Sequence, residues 1–295
     1  MQDRFKFIQK YRRRIPGWII SFVAILIALG IVISLTSPSS LGHQTVTINP
    51  TTMTVRQGPG MQYKAIKLGK NTSGQVIKQS QGWKQIQLSS GKTVWVANWL
   101  LQAKNLPQAT NLTGATIVID PGHGGNDTGA SYVTNSQNSA YFEKTYTFQL
   151  AKKVAKALRQ QGARVYMTRN KDEYVSLGAR SCLAEQVHAD LFISFHFDSS
   201  PSENEASGFT AYYYHRKNHS RAIAQALDQA FDNLPLTNRG VEFGDFYVLR
   251  ENSQPAVLLE MGYINSTKDY QQIKSARYQQ AIVTDLVKGL NTYFK

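Results

Sequence analysis

Hydrophobic and polar positions change their period twice along the chain, and each change marks a new kind of structure. An apolar run, WIISFVAILIALGIVISL, extends from Trp18 to Leu35, and no charged residue occurs between Ile15 and Val55. Extended slightly to residues 15–36, it roughly meets the ~20 residues that a membrane-spanning helix needs. From 44 to 102 come short segments of strand character, QTVTI, MTVR, AIKL, QVIKQ, WKQIQL and TVWVAN, separated by the turn sequences QGPG, NTSG, QGW and SSGK. Short strands at roughly ten-residue spacing predict a small all-β barrel. Residues 103–114 read as a polar linker. Beyond them the apolar runs ATIVID, ARVYMTR, DLFISFHF, GFTAYYYH, FYVLR and AVLLEM alternate with helical stretches. That alternation predicts an α/β domain over 115–295: a mostly parallel, twisted sheet of about six strands with helices on both faces. In its first helix Tyr146, Leu150, Val154 and Leu158 recur every four residues, and Gly162 stands where a C-terminal cap belongs.

Charge refines this division. The tail, residues 1–14, holds six Lys/Arg and one Asp. A basic flank places that end in the cytoplasm, against anionic lipid head groups. After a spacer, 37–43, everything downstream is expected outside the membrane. The alternative is a cleaved signal, which would leave a secreted protein. The net charge of +14 divides into +5 before residue 44, +8 over 44–114 and +1 over 115–295. An extracytoplasmic basic module argues against nucleic acid as a partner and suits an anionic wall polymer. The single cysteine, Cys182, excludes an intramolecular disulfide and is expected to be a small buried packing residue. Trp83, Trp95 and Trp99 read as packing residues of the barrel, and His188, His215 and His219 as solvated residues.

Ligands of open α/β sheets gather at the carboxyl ends of strands. There the chain delivers His123 after ATIVID, His196 in DLFISFHF and Glu260 in AVLLEM, while Glu143 opens the first helix. Each has a plain alternative: a turn histidine, a core histidine, or a carboxylate answering the helix dipole. Glu260 stands out, because a carboxylate in a buried strand is costly without a partner. Together, two histidines and a glutamate make a common catalytic zinc set, and the remaining glutamate would serve as general base. Asp120 could orient a metal-bound imidazole or cap the strand-end turn.

Two resemblances sharpen this reading. Arg56, Gly58-Pro59-Gly60, Tyr63, Trp83, Gly91 and Trp95-Val96 resemble bacterial SH3-type domains, which implies attachment to the cell wall. From about Thr116 to Tyr293 the chain resembles the zinc-dependent N-acetylmuramoyl-L-alanine amidases of the type 3 catalytic domain, whose fold is zinc-exopeptidase-like. The motifs are IVIDPGHGGNDTGA with His123, FEK with Glu143, HADLFISFH with His196, and NRGVEFGDFYVLRENSQPAVLLEMGYINS with Glu260. The resemblance implies one Zn²⁺ held by His123, Glu143 and His196, with Glu260 as catalytic base. It also implies peptidoglycan as substrate, cut between N-acetylmuramic acid and L-alanine, as in an autolysin. Arg169 and Arg180 fall on family positions and are expected to brace the fold or meet peptide carboxylates. Between His123 and Glu143 the chain is longer than the family's pattern, and Asp127 is the nearest carboxylate able to replace Glu143. Glu185 and Asp198 also depart from that pattern, and Asp198 stands close enough to His196 to alter charge or substrate contacts. Two rival functions use the same residues: an inactive wall-binding or regulatory protein, and a zinc peptidase cutting another wall peptide bond.

Overall fold

The computed structural model describes residues 44–134 and 136–295. The tail, apolar run and spacer of 1–43 lie outside the described residues. Among the described residues no helix is long and apolar enough to cross a membrane.

Six strands occur where the alternation predicts them: β1 (Thr45–Ile48), β2 (Val55–Arg56), β3 (Ala65–Ile66), β4 (Thr72–Ser80), β5 (Trp83–Leu88) and β6 (Thr93–Ala97). They pair antiparallel in the order β1-β4-β5-β6-β2-β3. Trp83 and Trp95 are buried, and Trp99 packs half-buried against the same core. Arg56 is not part of the basic surface. It is buried, and its guanidinium donates to the carbonyls of Met61, Tyr63, Asn111 and Phe294. Burial, opposed by the nearby charge of Asp190, pushes its pKa down to about 10. Asp190 in turn accepts the backbone N–H groups of Met61 and Thr116, and burial pushes its carboxyl up to about 6. The intervening stretch is packed rather than loose: Leu112 is fully buried, Thr110 Oγ1 donates to Gln161 O, and Asn111 Nδ2 to Asn291 O. Residues 45–295 therefore form one compact unit with a shared hydrophobic core.

The second sheet contains β7 (Thr116–Pro121), β8 (Arg164–Met167), β9 (Leu191–Asp198), β10 (Phe209–Tyr213), β11 (Asn238–Phe243) and β12 (Ala256–Tyr263). Their order is β11-β10-β12-β9-β7-β8, and the only antiparallel pairing is β10 with β12. Six helices accompany it: α1 (Glu143–Gln160), α2 (Leu177–Gln186), α3 (Ser220–Ala230), α4 (Tyr247–Arg250), α5 (Thr267–Ile273) and α6 (Ala276–Tyr293). One face, with Ile117, Ile119, Ile193 and Leu259, packs under α1, α3 and α6; the other, with Val118, Phe192 and Leu258, packs under α2 and α4. The stripe Tyr146, Leu150, Val154, Leu158 is the buried face of α1, and Gly162 follows its end with φ +79°. A fully buried Leu or Val contributes roughly 1.5–3 kcal/mol, so this stripe alone holds α1 on the sheet.

Two expectations are corrected. FYVLR is not a strand: Tyr247–Arg250 is a short helix in which adjacent residues Val248 and Leu249 are both buried, a pattern that a half-exposed strand cannot produce. The sixth strand is instead NRGVEF, an edge strand interrupted by Gly240 at φ +91° and therefore poor in hydrophobic signal. Cys182 is exposed, on the outward side of α2, with Gln186 Nε2 3.2 Å from its sulfur.

Candidate metal centre

Three adjacent strands, β12, β9 and β7, bring their carboxyl ends together, and the site is built there. Pro121 closes β7, and the chain turns through Gly122 into His123, which takes the left-handed φ of +61°. Gly122 is pinned: its N–H donates to Phe195 O, and its carbonyl accepts from Thr147 Oγ1 and Arg169 Nη2. A Cβ there would lie 2.3 Å from the His196 ring. A Cβ at Gly129 would lie 2.5 Å from Glu143 Oε2 and 2.6 Å from His123 Cδ2. Glycine at these two positions is the condition for side chains to converge.

His123 Nε2 stands 3.0 Å from Glu143 Oε2, and His196 Nδ1 3.0 Å from Glu143 Oε1. The two imidazoles meet edge to face, centroids 4.8 Å apart. One ligand atom from each of the three residues lies within 4.8 Å of the others. Glu143 is buried, and backbone N–H groups anchor both oxygens: Ala130 donates to Oε2 and Phe197 to Oε1. Burial alone would raise its pKa, but hydrogen bonds from His123 and His196 outweigh it and hold the carboxyl well below the usual range. Burial likewise opposes charge on His123, yet Glu143 and Asp127 together hold that imidazole above its ordinary value. The longer loop before Glu143 is firmly docked. Tyr132 stacks on Tyr270 at 3.8 Å, Tyr270 donates to Ala140 O, and Glu143 N to Ala130 O. Glu143, rather than Asp127, is thus the carboxylate that stands between the two imidazoles.

Glu260 lies on β12 directly beside His196 of β9. Its Oε2 is buried without a hydrogen-bond partner. Burial, reinforced by the charges of Glu143 and Asp198, holds its carboxyl well above the usual range. Two imidazoles and an ionised carboxylate, with the unsatisfied Oε2 of Glu260 close by, fit a metal ion such as zinc, for which the first three would supply three ligands. The cleft encloses about 290 Å³.

The remaining candidates separate. Asp120 does not touch either histidine; its oxygens accept from Thr168 Oγ1, Ser194 Oγ and Arg180 Nη1, the last at 2.7 Å. The carboxylate behind an imidazole is Asp127, whose Oδ1 is 2.8 Å from His123 Nδ1. The signal for it was its i,i+4 spacing from His123 in GHGGND. Arg169 and Arg180 are buried braces. Arg169 donates to the carbonyls of Pro121, Gly122, Lys144 and Lys171; Arg180 donates to those of Pro121, Val175 and His123 and pairs with Asp120. Asp198 accepts the N–H of Ser199 and lines a neighbouring groove with Arg239 and Tyr263. His188 follows the end of α2, exposed at φ +48°.

The fold and site define a class of protein with a mixed α/β sheet and, at its strand ends and the start of α1, a His–Glu–His cluster able to hold a metal ion. Residues 117–292 match the N-acetylmuramoyl-L-alanine amidase family, and the chain belongs to that family. It is 38% identical over 266 residues to the protein called "Probable cell wall amidase LytH" of Staphylococcus epidermidis, covering 88% of this chain and 86% of that one. To its Staphylococcus aureus counterpart it is 37% identical over 283 residues, covering 94% and 92%. Among solved structures, the catalytic domain of CwlV, an N-acetylmuramoyl-L-alanine amidase from Bacillus (Paenibacillus) polymyxa var. colistinus, aligns with a TM-score of 0.56 at 33% identity. That match covers 61% of this chain and 97% of that one. The N-acetylmuramoyl-L-alanine amidase of Clostridium difficile 630 aligns at 0.57 and 33%, covering 61% and 96%.

Proposed function

We propose that the chain is a zinc-dependent peptidoglycan hydrolase that cleaves the amide between the lactyl group of N-acetylmuramic acid and L-alanine. The observation that carries this is the buried, unpartnered Oε2 of Glu260 beside the His123–Glu143–His196 cluster. Asp127 Oδ1 accepts a hydrogen bond from His123 Nδ1–H, the tautomer that would leave the Nε2 lone pair free for a metal. Glu143 and His196 complete the ligand set. When bound, Zn²⁺ would supply Lewis acidity to water and scissile carbonyl and draw the Glu260 carboxyl toward ionisation. Glu260 then takes the proton of the attacking water and delivers it to the L-alanine nitrogen as the C–N bond breaks. Its raised proton affinity suits that return step.

The remaining readings follow the same logic. The first module is read as an SH3-type wall-binding domain over 44–102, joined by 103–114 to a catalytic domain over 115–295; its short antiparallel strands support this. Its exposed lysines would face anionic wall polymers, without the buried Arg56 and Lys84. The apolar run of 15–36, between a cytoplasmic tail and the spacer of 37–43, would anchor the chain to the membrane with the catalytic domain facing the wall.

Digestion of purified peptidoglycan by the zinc-loaded protein should release stem peptides with a free L-alanine amine, identified by mass spectrometry. A chelator should stop release and added zinc restore it. Products cut at a peptide bond within the stem would instead identify a peptidase. Asp127→Ala should weaken zinc binding about 10–100-fold, read by competition with a chromophoric chelator; unchanged affinity would remove Asp127 from the site.

A further inference from the structure

Eight large hydrophobic side chains are exposed among the described residues, and four of them line the cleft that holds His123, His196 and Glu260. They are Tyr174 (62% exposed), Leu177 (51%), Phe246 (37%) and Tyr247 (40%). Exposed apolar residues scattered singly need no explanation, but a cluster at a cleft marks a binding surface. The four come from two segments, the entry to α2 and the entry to α4, which contact each other. Phe246 is held edge-on against Tyr212, centroids 5.1 Å apart, and the Arg250 guanidinium lies 5.7 Å from the Tyr247 ring. This rim is not collapsed core; it is braced from behind.

A second groove, further along the same two strands, differs in chemistry. Past His196 and Glu260, β9 and β12 run on to Asp198 and Tyr263, which line a groove with Ser200, Glu205 and Arg239. The Arg239 guanidinium lies over the Tyr263 ring at 5.5 Å. Charges of both signs line this groove. The cleft beside the rim contains Arg180, but its donors are committed to Asp120 and to the carbonyls of Pro121, Val175 and His123. A carboxylate entering on the rim side would lose water and gain no uncommitted Lys or Arg side chain.

The substrate of the proposed amidase has two unlike halves joined at the scissile bond. The saccharide presents pyranose faces covered with C–H groups and an acetamido methyl. The stem presents amides, amines and carboxylates. Aromatic faces carry negative charge density and attract C–H groups. We propose that the Tyr174–Leu177–Phe246–Tyr247 rim is the saccharide subsite, and that the stem peptide leaves through the Asp198–Arg239 groove. The inference rests on the amidase reading and adds a direction to it: the enzyme grips the glycan, not only the peptide.

The test compares two substrates with the full chain in detergent micelles: a disaccharide–stem peptide, and a lactyl–stem peptide that keeps the scissile amide but lacks sugar. Tyr174→Ala and Tyr247→Ala should each lower kcat/KM roughly tenfold on the disaccharide substrate. On the lactyl peptide they should equal the wild type. Tyr→Phe at either position should restore the disaccharide rate, because the ring and not the hydroxyl is used. Arg239→Ala should lower kcat/KM on both substrates. Unchanged zinc content and thermal midpoint exclude a folding effect. Equal losses for the tyrosine variants on both substrates, or no loss on either, would overturn the subsite. Failure of the amidase reading shows separately, as wild-type products cut at a different bond.

Discussion

Replacing Glu260 by glutamine is expected to lower amidase turnover by about 10³-fold or more while zinc stays bound. General-base contributions are typically 10²–10⁴-fold, and no other described carboxylate stands unpartnered in the cleft to substitute. Glutamine keeps the shape of the side chain, so the ligands have no reason to move. The same change should make the metal-free protein more stable at neutral pH. The folded-state pKa of Glu260 is raised by burial and by the charges of Glu143 and Asp198. For a carboxyl so raised, the folded state binds the proton more tightly than the unfolded chain, so stability is lost as pH climbs from the ordinary glutamate pKa toward the raised one. A neutral glutamine avoids that loss. Loss of activity together with a higher apo thermal midpoint would fit no account in which the variant is merely damaged. Near-wild-type release of stem peptides by Glu260→Gln would sink the assignment.

Gly122→Ala is expected to be almost as damaging, through the metal rather than the base. The backbone at Gly122 is not left-handed, so alanine meets no conformational objection. The obstacle is the His196 ring, 2.3 Å from where the Cβ would sit, and Gly122 itself is held by Phe195, Thr147 and Arg169. The ring must yield, which breaks its 3.0 Å approach to Glu143. Overpacking of this kind costs roughly 1–3 kcal/mol, so the fold should survive. Zinc retained after dialysis, measured by elemental analysis, should fall far below one per chain, and activity with it. A folded Gly122→Ala protein that keeps full zinc would show that the ring has room the structure does not indicate.

Much of the second sheet was legible because its central strands are continuous apolar runs, and such runs survive any reading frame. ATIVID, DLFISFHF and AVLLEM became the three strands that carry the site. The edge was not legible. NRGVEF is half exposed and broken by a glycine, while FYVLR looks strand-like but closes a helical turn that buries Val248 and Leu249 together. Cys182 and Arg56 failed for a related reason. Residue type sets an average burial, and only the packed partner surfaces set the actual one.

At the site, residue types at strand ends and at a helix start raised His123, Glu143, His196 and Glu260 as candidates, and the family resemblance supplied the roles proposed for them. Sequence alone could not say which carboxylate stands behind which imidazole. Asp120 lies three residues before His123 and Asp127 four after it, but Asp120 belongs to a strand and turns its side chain to Arg180, Thr168 and Ser194, whereas Asp127 folds back through the Gly124–Gly125 turn. The sequence by itself determined the alternation of elements, the strand ends where ligands gather, and the chemical types available there, because these depend on local pattern. Only the tertiary structure decided the 4.8 Å convergence, the unpartnered Oε2 of Glu260 and the placing of four exposed apolar side chains on the cleft beside it. Those depend on distances between segments dozens of residues apart, and packing sets them.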